Sequence, residues 1–325
     1  MGLGGAERLE PRRREAAHVS DKALEAARIG FARAHPKRSA HRVLWFTQAI
    51  CGLVLIAAFV WAARTMPGPT FLATHAAALI LFAIIVAWRL IAAANLSPIL
   101  WRLSTSAAPP VYTILCPLYR EANMVADLIH ALCELDYPTD RLDIKLLIES
   151  DDQETLAAAA EAADAPWMEI VAIPARAPRT KPKALNLGLA FARGDFVAIY
   201  DAEDRPHPQQ LRAALAAFED GGETLACVQA PLVIDNPDAS WIARQFAAEY
   251  AIQFREILPL LARLGLPLPL GGSSNHFRTQ ILRQVGGWDP FKQSEDRANF
   301  ANKLNRFRTS AFHIPFVSQS CASAE

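Results

Sequence analysis

Two long apolar runs, LWFTQAICGLVLIAAFVWAA (44–63) and FLATHAAALILFAIIVAWRLIAAA (71–94), stand apart from the rest of the chain. Each has the roughly 20-residue length that crosses a bilayer as a helix, and the short link RTMPGPT makes them a hairpin. After SAAPP (106–110) the pattern changes to short apolar strands alternating with amphipathic stretches. It predicts strands over 111–119, 142–150, 168–174 and 196–200, and helices over 123–135, 153–165 and 181–192. That order is α/β: an open, mostly parallel, Rossmann-like sheet with helices on both faces, preceded by a two-helix transmembrane hairpin. In such sheets ligands bind at the carboxyl ends of the strands.

Composition supports the hairpin. Of 325 residues 52% are hydrophobic, and the mean hydropathy of +0.13 is high for a purely soluble protein. Basic and acidic residues balance at 33 each, so no global charge argues for nucleic acid. The asymmetry is local, with ten Lys and Arg before residue 43 and only Arg64 in the link. By the positive-inside bias, the N-terminus and everything after residue 95 face the cytoplasm in a multi-pass inner-membrane protein. The first run starts too far along the chain and runs too long for an ordinary signal peptide. Cys51, Cys116, Cys133, Cys227 and Cys321 are scattered without metal-ligand spacing and are expected as reduced, mostly buried thiols.

Candidate chemistry clusters where the strands stop. Asp201, Glu203 and Asp204 follow FVAIY directly; taken alone, a solvated turn is the simpler account. Other strand ends carry polar groups too: Tyr119, Arg120 and Glu121 in PLYRE, and Glu149, Asp151 and Asp152 in ESDD. The region has no G-x-G-x-x-G and no P-loop signature, so a phosphate must be held another way. Mg²⁺ or Mn²⁺ on Asp201 and Glu203 would do that, completing its shell with water and phosphate oxygens. RTKPKALN adds Arg179, Lys181, Lys183 and Asn186 at a helix start, where cations and free N–H groups meet a diphosphate. GGSSNHF (271–277), GGWD (286–289) and SED (294–296) follow in order. His276 is read there as a buried, hydrogen-bonded histidine, while Trp288 and Gln229 are left without a catalytic role.

Together these motifs resemble the membrane-bound family 2 glycosyltransferases of the cellulose-synthase and hyaluronan-synthase type, over about residues 111–296. The resemblance implies a GT-A domain over 111–310, preceded by a basic cytoplasmic segment (1–43), two transmembrane helices (44–94) and a linker (95–110), and followed by a divergent tail (311–325). It implies inverting transfer from a nucleotide-diphosphate sugar, a UDP-sugar first among them, to a carbohydrate or lipid-linked hydroxyl acceptor in polysaccharide synthesis. Tyr119, Glu121, Glu149, Asp151, Lys183 and Asp201 would bind the donor, Asp201 and Glu203 the metal, and Asp296 would be the general base. Glu203 stands for the second Asp of D-x-D, and no Q-x-x-R-W follows Asp296. The expectation is therefore a chain truncated after the base motif. Two further readings stay open: a polyprenyl-phosphate sugar transferase, and a nucleotide-binding pseudoenzyme.

Overall fold

The computed structural model describes residues 12–15, 18–37, 39–41, 44–94, 102–266, 268–291, 308–311 and 317–319. Its strands are β1 (Arg12–Arg14), β2 (Tyr112–Leu118), β3 (Leu142–Glu149), β4 (Met168–Ile173), β5 (Phe196–Ile199), β6 (Asp204–Pro206), β7 (Leu225–Gln229), β8 (Leu232–Ile234), β9 (Asn275–Arg278), β10 (Arg308–Ala311) and β11 (Val317–Gln319). Eight of them form one sheet in the order β1-β4-β3-β2-β5-β9-β7-β10, and β6-β11-β8 form a second. From β1 to β5 every pairing is parallel. β9 then enters antiparallel to both β5 and β7. The four strands expected from the pattern are β2 to β5, and they occupy the centre of the sheet.

Helices cover both faces of these strands, which explains their unbroken apolar character: all eight residues of β3 are buried. Local signals start the helices. Asp152 caps Gln153–Ala162 by accepting from Thr155 N at 3.3 Å, and Pro182 occupies the first turn of Lys181–Phe191. Gly188 lets that second helix approach the sheet, since a Cβ there would lie 2.7 Å from Leu147 Cδ1 and 3.0 Å from Leu115 Cδ2.

The apolar runs form helices Phe46–Thr65 and Pro67–Ala94, interrupted only at Met66. Most of the link expected between them is thus helical. Both helices are long and apolar enough to cross a membrane, with mean hydropathies of 2.0 and 2.4. Their large side chains, including Phe59, Trp61, Leu81 and Ile84, are exposed.

The N-terminal region departs from the expected basic segment. β1 extends the sheet beside β4, where Arg14 Nε donates to Glu169 Oε1 at 2.9 Å. Helical residues after Asp21 bury Leu24, Ala27 and Phe31, and Val19, Leu24 and Ala27 join the main core. Ser39 Oγ and the Ala40 N–H donate to the two carboxylate oxygens of Asp289 at 3.0 and 2.6 Å. The described residues before the first apolar helix are therefore integrated with the α/β domain, because an apolar stripe at helical spacing lies under the basic surface. The cysteines also depart in part: Cys116 and Cys227 are buried, but Cys51 and Cys133 are exposed. Cys321 lies outside the described residues.

Candidate active site

A cleft of about 410 Å³ opens at the carboxyl ends of β2, β3, β4 and β5. Tyr119, Glu121, Glu149, Arg179, Lys181, Asp201 and Glu203 line it. The parallel register brings these strand ends side by side, so residues spread over some eighty positions converge.

The turn after β2 is built for this. Arg120 has φ +57°, a conformation costly for a non-glycine residue, and its N–H donates to Asp152 Oδ2 at 2.6 Å. Glu121 N donates to Thr155 Oγ1 at 3.2 Å, while Glu121 Oε2 accepts from Tyr119 N at 3.2 Å. Asp152 thus fixes the loop and caps a helix. Burial raises the pKa of Glu121, and the charges of Glu203 and Asp201 push it the same way.

The crowded carboxylates after β5 have separate tasks. Asp204 is fully buried and accepts from Asp201 N at 2.8 Å, bracing the turn. Asp201 and Glu203 remain on the cleft wall. Lys181 Nζ lies 2.6 and 2.9 Å from the two oxygens of Asp201 and 2.7 Å from the Gly272 carbonyl. The Lys181 ammonium thus sits against carboxylate and carbonyl oxygens, the ligand type a hard divalent cation also prefers. Among the described residues no group of three or more His, Cys, Asp and Glu could hold an ion alone. The residues present therefore fit a cation that draws its remaining oxygens from a diphosphate and water, as Mg²⁺ commonly does.

The two lysines expected together at a diphosphate are separated. Lys183 is fully buried, with Nζ 2.5 Å from Glu149 Oε1 and 3.0 Å from the Arg176 carbonyl. It is absent from the cleft lining, where a donor contact was expected of it, and pairs with Glu149. Residues two apart on a helix project to nearly opposite sides, and that spacing was the available signal. Asp151 also stays off the cleft lining; Arg179 pairs with it at 2.7 Å. Glu149 does face the cleft, and burial raises its pKa against the opposing effect of Lys183. Its Oε2 is buried without a hydrogen-bond partner.

Asn186 contributes by bracing. Its amide donates to the Trp288 carbonyl at 2.8 Å and accepts from Trp288 N at 2.9 Å, locking the GGWD turn to the helix that carries Lys181. Gly287 has φ +65°, and a Cβ there would collide with Asn186 Oδ1, so the turn requires glycine. Trp288 packs edge-to-face on Phe277 at 5.9 Å between ring centroids. Gln229 is buried, accepting from Gly271 N at 2.6 Å and donating to the Ala230 carbonyl at 2.8 Å. His276 is buried as expected, 2.8 Å from Tyr112 Oη through Nδ1. Glu295 and Asp296 lie outside the described residues.

Comparison with known proteins gives this geometry a family. The curated relatives include a beta-monoglucosyldiacylglycerol synthase of Synechocystis sp., 25% identical over 64% of this chain and 46% of its own length. The probable glycosyltransferase YdaM of Bacillus subtilis is 26% identical over 60% of this chain and 47% of its own. The chain thus spans about half the length of the curated relatives it matches. Among solved structures, the mannosyltransferase PcManGT of Pyrobaculum calidifontis, in complex with GDP-Man and Mn²⁺, superposes with a TM-score of 0.55 at 20% identity, covering 77% of this chain and 69% of its own. TarS 1-349 of S. aureus, in complex with UDP-GlcNAc, gives 0.50 at 16% identity, over 66% and 60%. These likenesses establish the GT-A fold. The family described as "Glycosyltransferase like family 2" matches residues 109–307, more than half of the sequence, and the chain belongs to it.

Proposed function

We propose that the cleft binds a nucleotide-diphosphate sugar and that the protein transfers the sugar, with inversion, to a hydroxyl acceptor. The observation that carries this reading is the meeting of cleft-facing carboxylates Glu121, Asp201 and Glu203 with cations Arg179 and Lys181 at one sheet end. Mn²⁺ or Mg²⁺ held by Asp201 and Glu203 would stabilise the charge developing on the departing diphosphate. Lys181, freed from Asp201 by that cation, remains close enough to pair with phosphate oxygens, and Arg179 flanks it. Glu149, steadied by Lys183 and lining the cleft, would accept from the imide N–H of a uracil, with Tyr119 beside it. This favours Glu149 over Asp151 as the base-reading carboxylate and a UDP-sugar as donor.

Asp296, following the braced GGWD turn in sequence, is assigned as the base that takes the acceptor proton. A lipid hydroxyl is the favoured acceptor. Two helices fit to cross a membrane precede the domain, and the curated relatives include a synthase named for a glucosyldiacylglycerol product. The orientation proposed is the cytoplasmic one, where nucleotide sugars are supplied.

The test incubates the full chain in lipid vesicles with Mn²⁺ and radiolabelled UDP-glucose, UDP-GlcNAc or GDP-mannose. Label passing into an organic-extractable product supports the reading, and label in an insoluble polymer assigns a polysaccharide acceptor instead. If every donor stays intact, without transfer or hydrolysis, the proposed activity is wrong.

A further inference from the structure

The helical segment after β8 has a face that the α/β domain does not cover. Trp241, Ile242 and Phe246 are 72%, 53% and 49% exposed on helix Trp241–Ile252. Large apolar side chains grouped on one element mark a contact surface rather than ordinary solvent exposure. Exposed Arg244 and Arg255 lie on the same segment with Glu249 and Glu256, so its charges balance and the apolar side chains are what mark it.

The second apolar helix indicates what covers this face. Arg89, near its C-terminal end, donates to both carboxylate oxygens of Glu249 at 3.0 and 3.1 Å. Beside this ion pair a cleft of about 360 Å³ opens between the two elements, with Ile84, Ile85 and Trp88 on one wall and Ile252, Gln253 and Ile257 on the other. Its second wall is a π-helical turn, Gln253–Ile257, a local widening often found at functional sites. An arginine at the end of a spanning helix sits at the lipid headgroups, so the cleft just below it opens at the level of acyl chains. The segment then runs through Leu258–Arg263 toward the loop whose Gly272 carbonyl accepts from Lys181.

We infer that the Trp241–Ile257 segment lies in the membrane interface and that its cleft with the second apolar helix receives the hydrocarbon chain of a lipid. The inference rests on the membrane reading of the two apolar helices. It places a lipid-binding surface on the element that leads to the donor cleft.

The test reconstitutes the full chain in phosphatidylcholine–phosphatidylglycerol vesicles with photoreactive p-benzoylphenylalanine replacing, one at a time, Phe246, Ile252, Leu55 of the first apolar helix, or Glu161 on the exposed side of the α/β domain. After irradiation, mass spectrometry should find phospholipid adducts at Phe246 and Ile252 as at Leu55, and none at Glu161. Adducts at Leu55 with none at Phe246 and Ile252 overturn the inference and spare the membrane reading. Crosslinks from Phe246 and Ile252 to a second copy of the chain, in place of lipid, also overturn it. Absence of lipid at all three positions removes the membrane reading and the inference together.

Discussion

Lys181 and Lys183 make opposite demands on their surroundings, and substitution separates them. Lys183→Met leaves the Glu149 carboxylate buried without its cation, and breaking a buried pair costs about 3–5 kcal/mol. Urea unfolding of the purified chain should show that loss. Lys181 and Asp201 are each about a quarter exposed, so Lys181→Met should change stability by about 1 kcal/mol or less. It should instead strengthen Mn²⁺ binding in the absence of nucleotide, because the competing ammonium is gone; calorimetry of Mn²⁺ alone reads this out. His276 supplies a pH dependence. Burial lowers its pKa to about 3, against about 6.5 in an unfolded chain. A histidine held neutral stabilises the fold above the unfolded value, and that stability drains as pH falls from about 6.5 toward about 3. His276→Gln should therefore flatten the acid limb of the urea midpoint between about pH 6.5 and pH 4.

At the scale of elements, the segment before the first apolar helix is the main departure from the sequence pattern. Its ten basic residues read as a basic cytoplasmic segment, yet Leu24, Ala27 and Phe31 recur at helical spacing and bury one stripe. That signal was present but short, and a π-helical turn interrupts it between Ala26 and Gly30. β1 had no local signal at all: three consecutive arginines become a strand because β4 offers an open edge and Glu169 a partner. β2 to β5, by contrast, were legible because burial on both faces demands continuous apolar runs. The same contrast holds in the site. Tyr119, Glu121, Glu149, Asp201 and Glu203 were readable as cleft residues from their places at strand ends, and the spacing of Lys181 and Lys183 set them on opposite sides, whereas the bracing by Asp152, Asp204 and Asn186 depends on tertiary contacts. Phe31→Ala should cost about 3–5 kcal/mol, as truncation of a buried aromatic does, despite lying far in sequence from the cleft. A thermal midpoint unchanged from wild type would contradict the packing of this segment into the core.

Across the whole molecule, two apolar helices long enough to cross a membrane and a carboxylate-lined cleft are joined to one mixed sheet; under the proposed function a soluble donor and a lipid-borne acceptor would meet at its carboxyl edge. Charge balance in the cleft is then the point on which function turns. Burial raises the pKa of Glu121, and the charges of Glu203 and Asp201 push it the same way. A divalent cation favours its ionised form, so binding should release protons, and affinity should fall as pH drops through the window above the usual carboxylate value. Titrations in two buffers of different ionisation enthalpy measure that release. The most direct test of the central claim is calorimetric titration of UDP into the detergent-solubilised full chain, with and without Mn²⁺, in wild type and Asp201→Asn. Wild type should bind UDP more tightly when Mn²⁺ is present, and Asp201→Asn should lose that response, weakening by about tenfold or more, or about 1.4 kcal/mol. An Asp201→Asn chain that binds UDP with undiminished Mn²⁺ dependence would contradict the assignment of this cleft as a metal-assisted nucleotide-sugar site.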